Sequence, residues 1–145
     1  MIKLKSSDKQ AVLENERCPE YTFLPKIHPY LDNKYTKANL KLHPIVSATK
    51  QKILLFEPNA TVYLFGSRAR NTAATNSDWD FLVLTPTPAS FKKEIELGRI
   101  LNRLFYELES KGLLNAHVFS LGEWRTENKK NSPFYQTVTK DWIEL

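Results

Sequence analysis

The chain has 145 residues, 41% hydrophobic and 26% charged, which bounds it to one ordinary globular domain with a single sizeable core. Its one cysteine, Cys18, excludes an intrachain disulfide and a cysteine metal cluster and points to a reducing cytoplasm. The net charge of +5 is concentrated between residues 26 and 52, where Lys26, Lys34, Lys37, Lys41, Lys50 and Lys52 stand against Asp32, so the rest of the chain is neutral.

The first ten residues, MIKLKSSDKQ, alternate charge and polarity and do not form the apolar stretch of a signal peptide. No apolar run comes near the roughly 20 residues of a membrane helix, which excludes a membrane partner. Ser7 with Gln10 makes a capping box for a short helix through about Arg17. From Glu20 to His43, Pro25, Pro29 and the Asp32-Asn33 pair break any period and predict an irregular or extended arm. Residues 1–43 are therefore an N-terminal extension of unassigned role, and 44–145 form the domain proper. Tyr30, Tyr35, His28 and His43 interleave with the lysines of 26–52, which suits an RNA or an acidic partner as well as it suits a solvated connection.

Pro44 fits the first position of a helix in which Ile45, Thr49, Ile53 and Phe56 recur at helical period, and Pro58 ends it. TVYLF at 61–65 is β-branched and aromatic and predicts a strand, with Gly66 permitting the turn beyond it. A second strand runs from about Trp79 to Leu84. Ser90 caps a long amphipathic helix with Phe91, Ile95, Leu101, Leu104, Phe105 and Leu108 as its apolar stripe and Gly112 as its stop. NAHVFS at 115–120 reads as a third strand, and Ser132-Pro133 opens a last helix carrying Phe134, Val138 and Trp142. Strands alternating with helices predict an α/β layer structure.

Chemistry is concentrated in FGSRARNTAATNSDWDFLVL, residues 65–84. Residues two apart on a strand share a face, about 6.6 Å apart, so Asp78 and Asp80 reach one small volume while Trp79 and Phe81 point the other way. Two carboxylates side by side repel unless a cation lies between them. Magnesium fits, because it takes one or two carboxylates and completes its shell with waters and phosphate oxygens. The Gly66-Ser67 turn, with bare backbone N–H groups and a hydroxyl at a helix start, suits the phosphates themselves. An Asp-x-Asp alone is often only a loop entering a strand. Glycine, serine, ten residues, then aspartate-x-aspartate fixes four letters, about one chance in 40,000 per start at roughly 7% usage each. A P-loop is excluded, since its second glycine followed by lysine is absent.

In these residues the chain resembles the polymerase-β-type nucleotidyltransferases, in particular the small single-domain members typified by MntA-type antitoxins. The resemblance runs from about Pro44 to the end and includes the GSRAR turn, SDWDFLVL, the long helix and the closing NSPFYQTVTKDWIEL. It implies an α/β (α+β) fold, a small mixed sheet with helices mainly on one face. It also implies transfer of a nucleoside monophosphate, usually AMP from ATP or another nucleoside triphosphate, to a hydroxyl, with two magnesium ions. Gly66, Ser67 and Arg68 would bind the triphosphate, Asp78 and Asp80 would ligate the metals, and Arg70 would brace the turn. In minimal members the partner is a helical HEPN-type toxin whose tyrosine accepts the AMP; a homo-oligomer is a further expectation.

One departure bears on activity. The family's third acid, counted back from an aromatic that corresponds to Trp124, falls on Asn115, which keeps the shape of aspartate but accepts no proton. His117, two residues along the same face, is an alternative base and also an ordinary structural histidine. Loss of a positioned base costs about 10²- to 10⁴-fold. The sequence therefore leaves two functions open, a slow transferase and a catalytically retired protein that acts by binding its partner.

Overall fold

The structure is a computed structural model that describes residues 36–145. The helix expected over 7–17 and the arm's first part, 20–35, lie outside the described residues. The arm's remainder contains a helical turn, α1 (Lys37–Leu40), capped by the Thr36 hydroxyl, which accepts from the Asn39 amide at 3.3 Å. Periodicity could not show it, because a single turn is shorter than any helical repeat.

Helix α2 (Pro44–Phe56) starts at the expected proline, and the His43 ring nitrogen Nδ1 accepts from the Ile45 amide at 3.2 Å. Strand β1 (Thr61–Phe65) leads through a four-residue helix, α3 (Gly66–Ala69), and a loop into β2 (Trp79–Thr85). Helix α4 (Phe91–Glu107) follows, capped by Ser90, and crosses over to β3 (Leu114–Ser120). Two helical turns, α5 (Leu121–Trp124) and α6 (Glu127–Lys130), precede α7 (Pro133–Asp141) and β4 (Ile143–Glu144).

The sheet is mixed, in the order β3-β2-β1-β4. β2 runs antiparallel to β1 and parallel to β3, so the latter pair needs the α4 crossover, while β4 pairs antiparallel with β1. Alternation along the strands sorts two cores. Val62, Leu64, Trp79, Phe81, Val83 and Leu114 meet α2 and α4 on one face. Phe65, Leu82 and Leu84 face the other way, against Trp124 and Val138, with Phe134, Tyr135 and Trp142 packed around them. β2 is central and covered on both faces, which is why FLVL reads as a continuous apolar run and not as an alternation.

Three expectations change. Phe91 and Ile95 are 77% and 42% exposed; of the expected stripe α4 buries Leu101 and Leu104, and Leu97 joins them. The buried stripe thus begins at Leu97, later than the apolar letters do. The helix ends at Glu107, with Glu109 left-handed at φ 50°. Gly112 is not the stop: a Cβ there would lie 1.9 Å from the Ser77 carbonyl oxygen, so its smallness lets the start of β3 approach the residues that lead into β2. The closing helix gives way at Trp142 to β4, whose two residues are too few for a sequence signal. Beside β4, Tyr63 stacks on Trp142 at 4.2 Å, and burial together with the Glu144 carboxylate raises its phenol above the ordinary value. No helix among the described residues is long and apolar enough to cross a membrane.

Candidate active site

The turn after β1 is built on a backbone conformation that favours glycine. Gly66 has φ +77°, and a Cβ on it would stand 2.7 Å from Asp80 Oδ2. The turn thus lies directly against a carboxylate that β2 delivers, since Phe65 and Asp80 are paired across β1 and β2. Replacing Gly66 by alanine imposes both a strained left-handed residue, about 1–2 kcal/mol, and a contact that pushes the Asp80 carboxylate aside. We expect Gly66→Ala to lower the melting temperature modestly and to weaken nucleotide binding more than the stability loss explains; full binding would show that the turn and Asp80 are independent.

The loop between α3 and β2 is held from beneath by Arg68. The side chain is only 5% exposed; Nη2 donates to the Thr75 and Ser77 carbonyls, both at 2.9 Å, and Nε donates to Ser77 at 3.3 Å. Its guanidinium lies 4.3 Å from the Trp79 ring centroid, a cation–π contact in a buried setting. Ser77 in turn accepts the Ala74 amide at its hydroxyl, at 2.8 Å. The bracing expected of Arg70 is seen at Arg68. Arg68 braces the loop, because its side chain is buried and makes three hydrogen bonds to the backbone carbonyls of two loop residues, Thr75 and Ser77. Arg70 is exposed. Asn71 does adopt the left-handed conformation that its amide side chain tolerates, φ 58°.

The two aspartates emerge where β2 begins. Asp78 is exposed, and its Oδ1 accepts the Leu113 amide at 3.0 Å; Asp80 is half-buried, and its Oδ1 accepts from Asn115 Nδ2 at 3.2 Å. Asp78 therefore engages Leu113 just before β3 and Asp80 engages Asn115 within it, the residue opposite Asp80 in the register. Asn115 and Asp80 stand together across the sheet, with Gly66 on the other flank of Asp80. Ser67, half-buried, holds the turn through its carbonyl, which accepts the Thr72 amide at 3.0 Å. His117, exposed, is one pleat farther along β3, its ring 5.5 Å from Phe65 and 5.3 Å from Phe134. Leu113, whose amide bonds Asp78, was not singled out in the sequence, and Gly112 was read there only as a helix stop. A lone glycine is the only letter there that could have marked them.

The donor set is two carboxylates and one amide, all hard oxygen donors or convertible to one by an amide flip. Among the described residues no cluster of three histidine, cysteine, aspartate or glutamate side chains could enclose a metal alone. A divalent ion at Asp78 and Asp80 would therefore complete its shell with waters and phosphate oxygens, as magnesium does with a nucleotide. The residues fit that group.

Comparison with curated proteins finds no match. Among solved structures, the chain is similar to a mutant of the toxin-antitoxin MntA-HpeT, at 19% identity and TM-score 0.46 over 68% of this chain and 69% of that one. A candidate nucleotidyltransferase from Sulfolobus solfataricus is similar at 20% identity and TM-score 0.43, over 77% and 87% of the two chains. A toxin-antitoxin structure with AMP-PNP is similar at 30% identity and TM-score 0.36, over 48% and 55%. The model of the nucleotidyltransferase domain matches residues 45–131, from the start of α2 through α6 and therefore across the turn, both aspartates and Asn115. On that match, which covers more than half of its length, the chain belongs to the nucleotidyltransferase family of transferases.

Proposed function

We propose that the chain transfers a nucleoside monophosphate, AMP from ATP, to a hydroxyl on a macromolecular acceptor, with magnesium held by Asp78 and Asp80. The carrying observation is the position of Asp80, one oxygen against the Gly66 turn and the other bonded to Asn115. This juxtaposition of a glycine turn, a carboxylate and the third-strand residue is what supports the reading. Bound magnesium would draw charge from the phosphate oxygens during transfer. Asp78 and Asp80 supply the negative ligands, Gly66 and Ser67 offer backbone and hydroxyl donors to the phosphates, and Arg68 keeps the loop in register beneath them. Asn115, bonded to Asp80 through its amide nitrogen, orients that carboxylate and takes no proton.

The acceptor we propose is a small helical HEPN-type partner, on the strength of the sequence resemblance. RNA contact through 26–52 is a further expectation; of its lysines, Lys37, Lys41 and Lys52 are exposed and Lys50 is half-buried. Asn115 favours a second reading, a protein that binds nucleotide and partner without turnover. Calorimetric titration of ATP with and without magnesium, followed by incubation with labelled ATP and the partner, separates the two. Magnesium-dependent binding with label transfer supports the enzyme. Binding without transfer supports the second reading, and no binding overturns both.

A further inference from the structure

Beside the two aspartates the sheet face carries rings that the transfer chemistry leaves unused. Phe65, His117 and Phe134 stand 5.3–5.8 Å apart, centroid to centroid, from β1, β3 and α7 respectively. Phe65 is the residue paired with Asp80, and His117 is two residues beyond Asn115 on the same face. Phe119 extends the wall to Phe134 at 5.8 Å, and the Lys129 ammonium lies 3.5 Å from the Phe119 ring centroid and 5.3 Å from that of Phe134. Phe134 is half-buried and His117 exposed, so the wall presents ring surface to solvent next to the site. A partly exposed aromatic surface beside a phosphate-binding turn suits a flat heteroaromatic ligand.

In a nucleotidyl transfer the attacking and leaving oxygens lie roughly in line at the reacting phosphorus, and the nucleoside is attached off that line. The Gly66 turn, Asp80 and Asn115 succeed one another across β1, β2 and β3, and on the proposed reading that order is the line. The aromatic wall lies beside it, one pleat farther along β3 from Asn115 on the same face.

We infer that the outer face of His117, backed by Phe65 and Phe134, is the stacking platform for the nucleobase of the bound nucleotide. This rests on the metal–phosphate reading of Asp78 and Asp80, and the test keeps the two apart by using a ligand with no base. Magnesium-ATP and magnesium-tripolyphosphate are titrated into the full chain and into His117→Ala and His117→Phe, with circular dichroism confirming the fold of each. Base–aromatic stacking of the usual strength predicts that His117→Ala weakens ATP about 10-fold, leaves tripolyphosphate within about 2-fold, and that His117→Phe retains ATP affinity. An unchanged ratio of ATP to tripolyphosphate affinity in His117→Ala overturns the platform alone. So does a His117→Phe variant as weak as the alanine, which would assign a hydrogen bond in place of a ring. If the unmutated chain binds neither ligand with magnesium, the metal site itself falls and the platform with it.

Discussion

Asp80→Asn reduces label transfer on the order of 10³-fold, the loss expected when a metal worth several kcal/mol in the transition state is no longer held. The substitution preserves the side chain's shape and leaves an oxygen that can accept from Asn115 Nδ2, so the network at the start of β3 persists. Removing one of two neighbouring carboxylates also relieves repulsion. The melting temperature without magnesium should therefore be no lower than that of the unmodified chain. Magnesium-ATP should raise the melting temperature of the unmodified chain, because it binds only the folded state, and should leave that of the variant unmoved. Single-turnover transfer and melting curves with and without magnesium-ATP check this together. Transfer within about tenfold of the unmodified rate would mean that Asp80 carries no metal in the reaction.

Asn115→Asp works in the opposite direction. The aspartate restores a proton acceptor across from Asp80, and a gain of up to about 10²- to 10⁴-fold in transfer is expected if the acceptor hydroxyl enters there. The change has a cost in the metal-free protein. A donor that now reaches Asp80 at 3.2 Å is replaced by a second anionic oxygen, which opposes folding until a cation arrives. The variant should melt lower than the unmodified chain without magnesium and gain more from its addition. A variant that shows the metal-dependent stabilisation with no gain in rate would place the acceptor elsewhere and favour a protein that acts by binding.

The parts legible in the sequence are those where one residue's chemistry settles a local outcome. Pro44, Ser90 and Ser132 cap or open their helices as their chemistry dictates, and TVYLF forms β1 over the expected residues. Trp79 and Phe81 are buried in the helix layer while Asp80 turns to the other face, as the two-residue period requires. What was not legible depends on where a chain segment sits in three dimensions. Arg68 and Arg70 are equivalent as letters; only the path of the turn sends one inward to the Ser77 carbonyl and leaves the other exposed. Gly112 reads as a helix stop unless the approach of β3 to Ser77 is known. The sheet's fourth strand, two residues long, exists only because α7 returns the chain to β1.

The inward turn of Arg68 has a consequence for how the site keeps its shape. Its guanidinium bonds the Thr75 and Ser77 carbonyls and lies on Trp79, so the residue after Ser67 ties the glycine turn to the loop that delivers Asp78. The turn and the first aspartate are thereby coupled through one side chain, and loss of that side chain would loosen both.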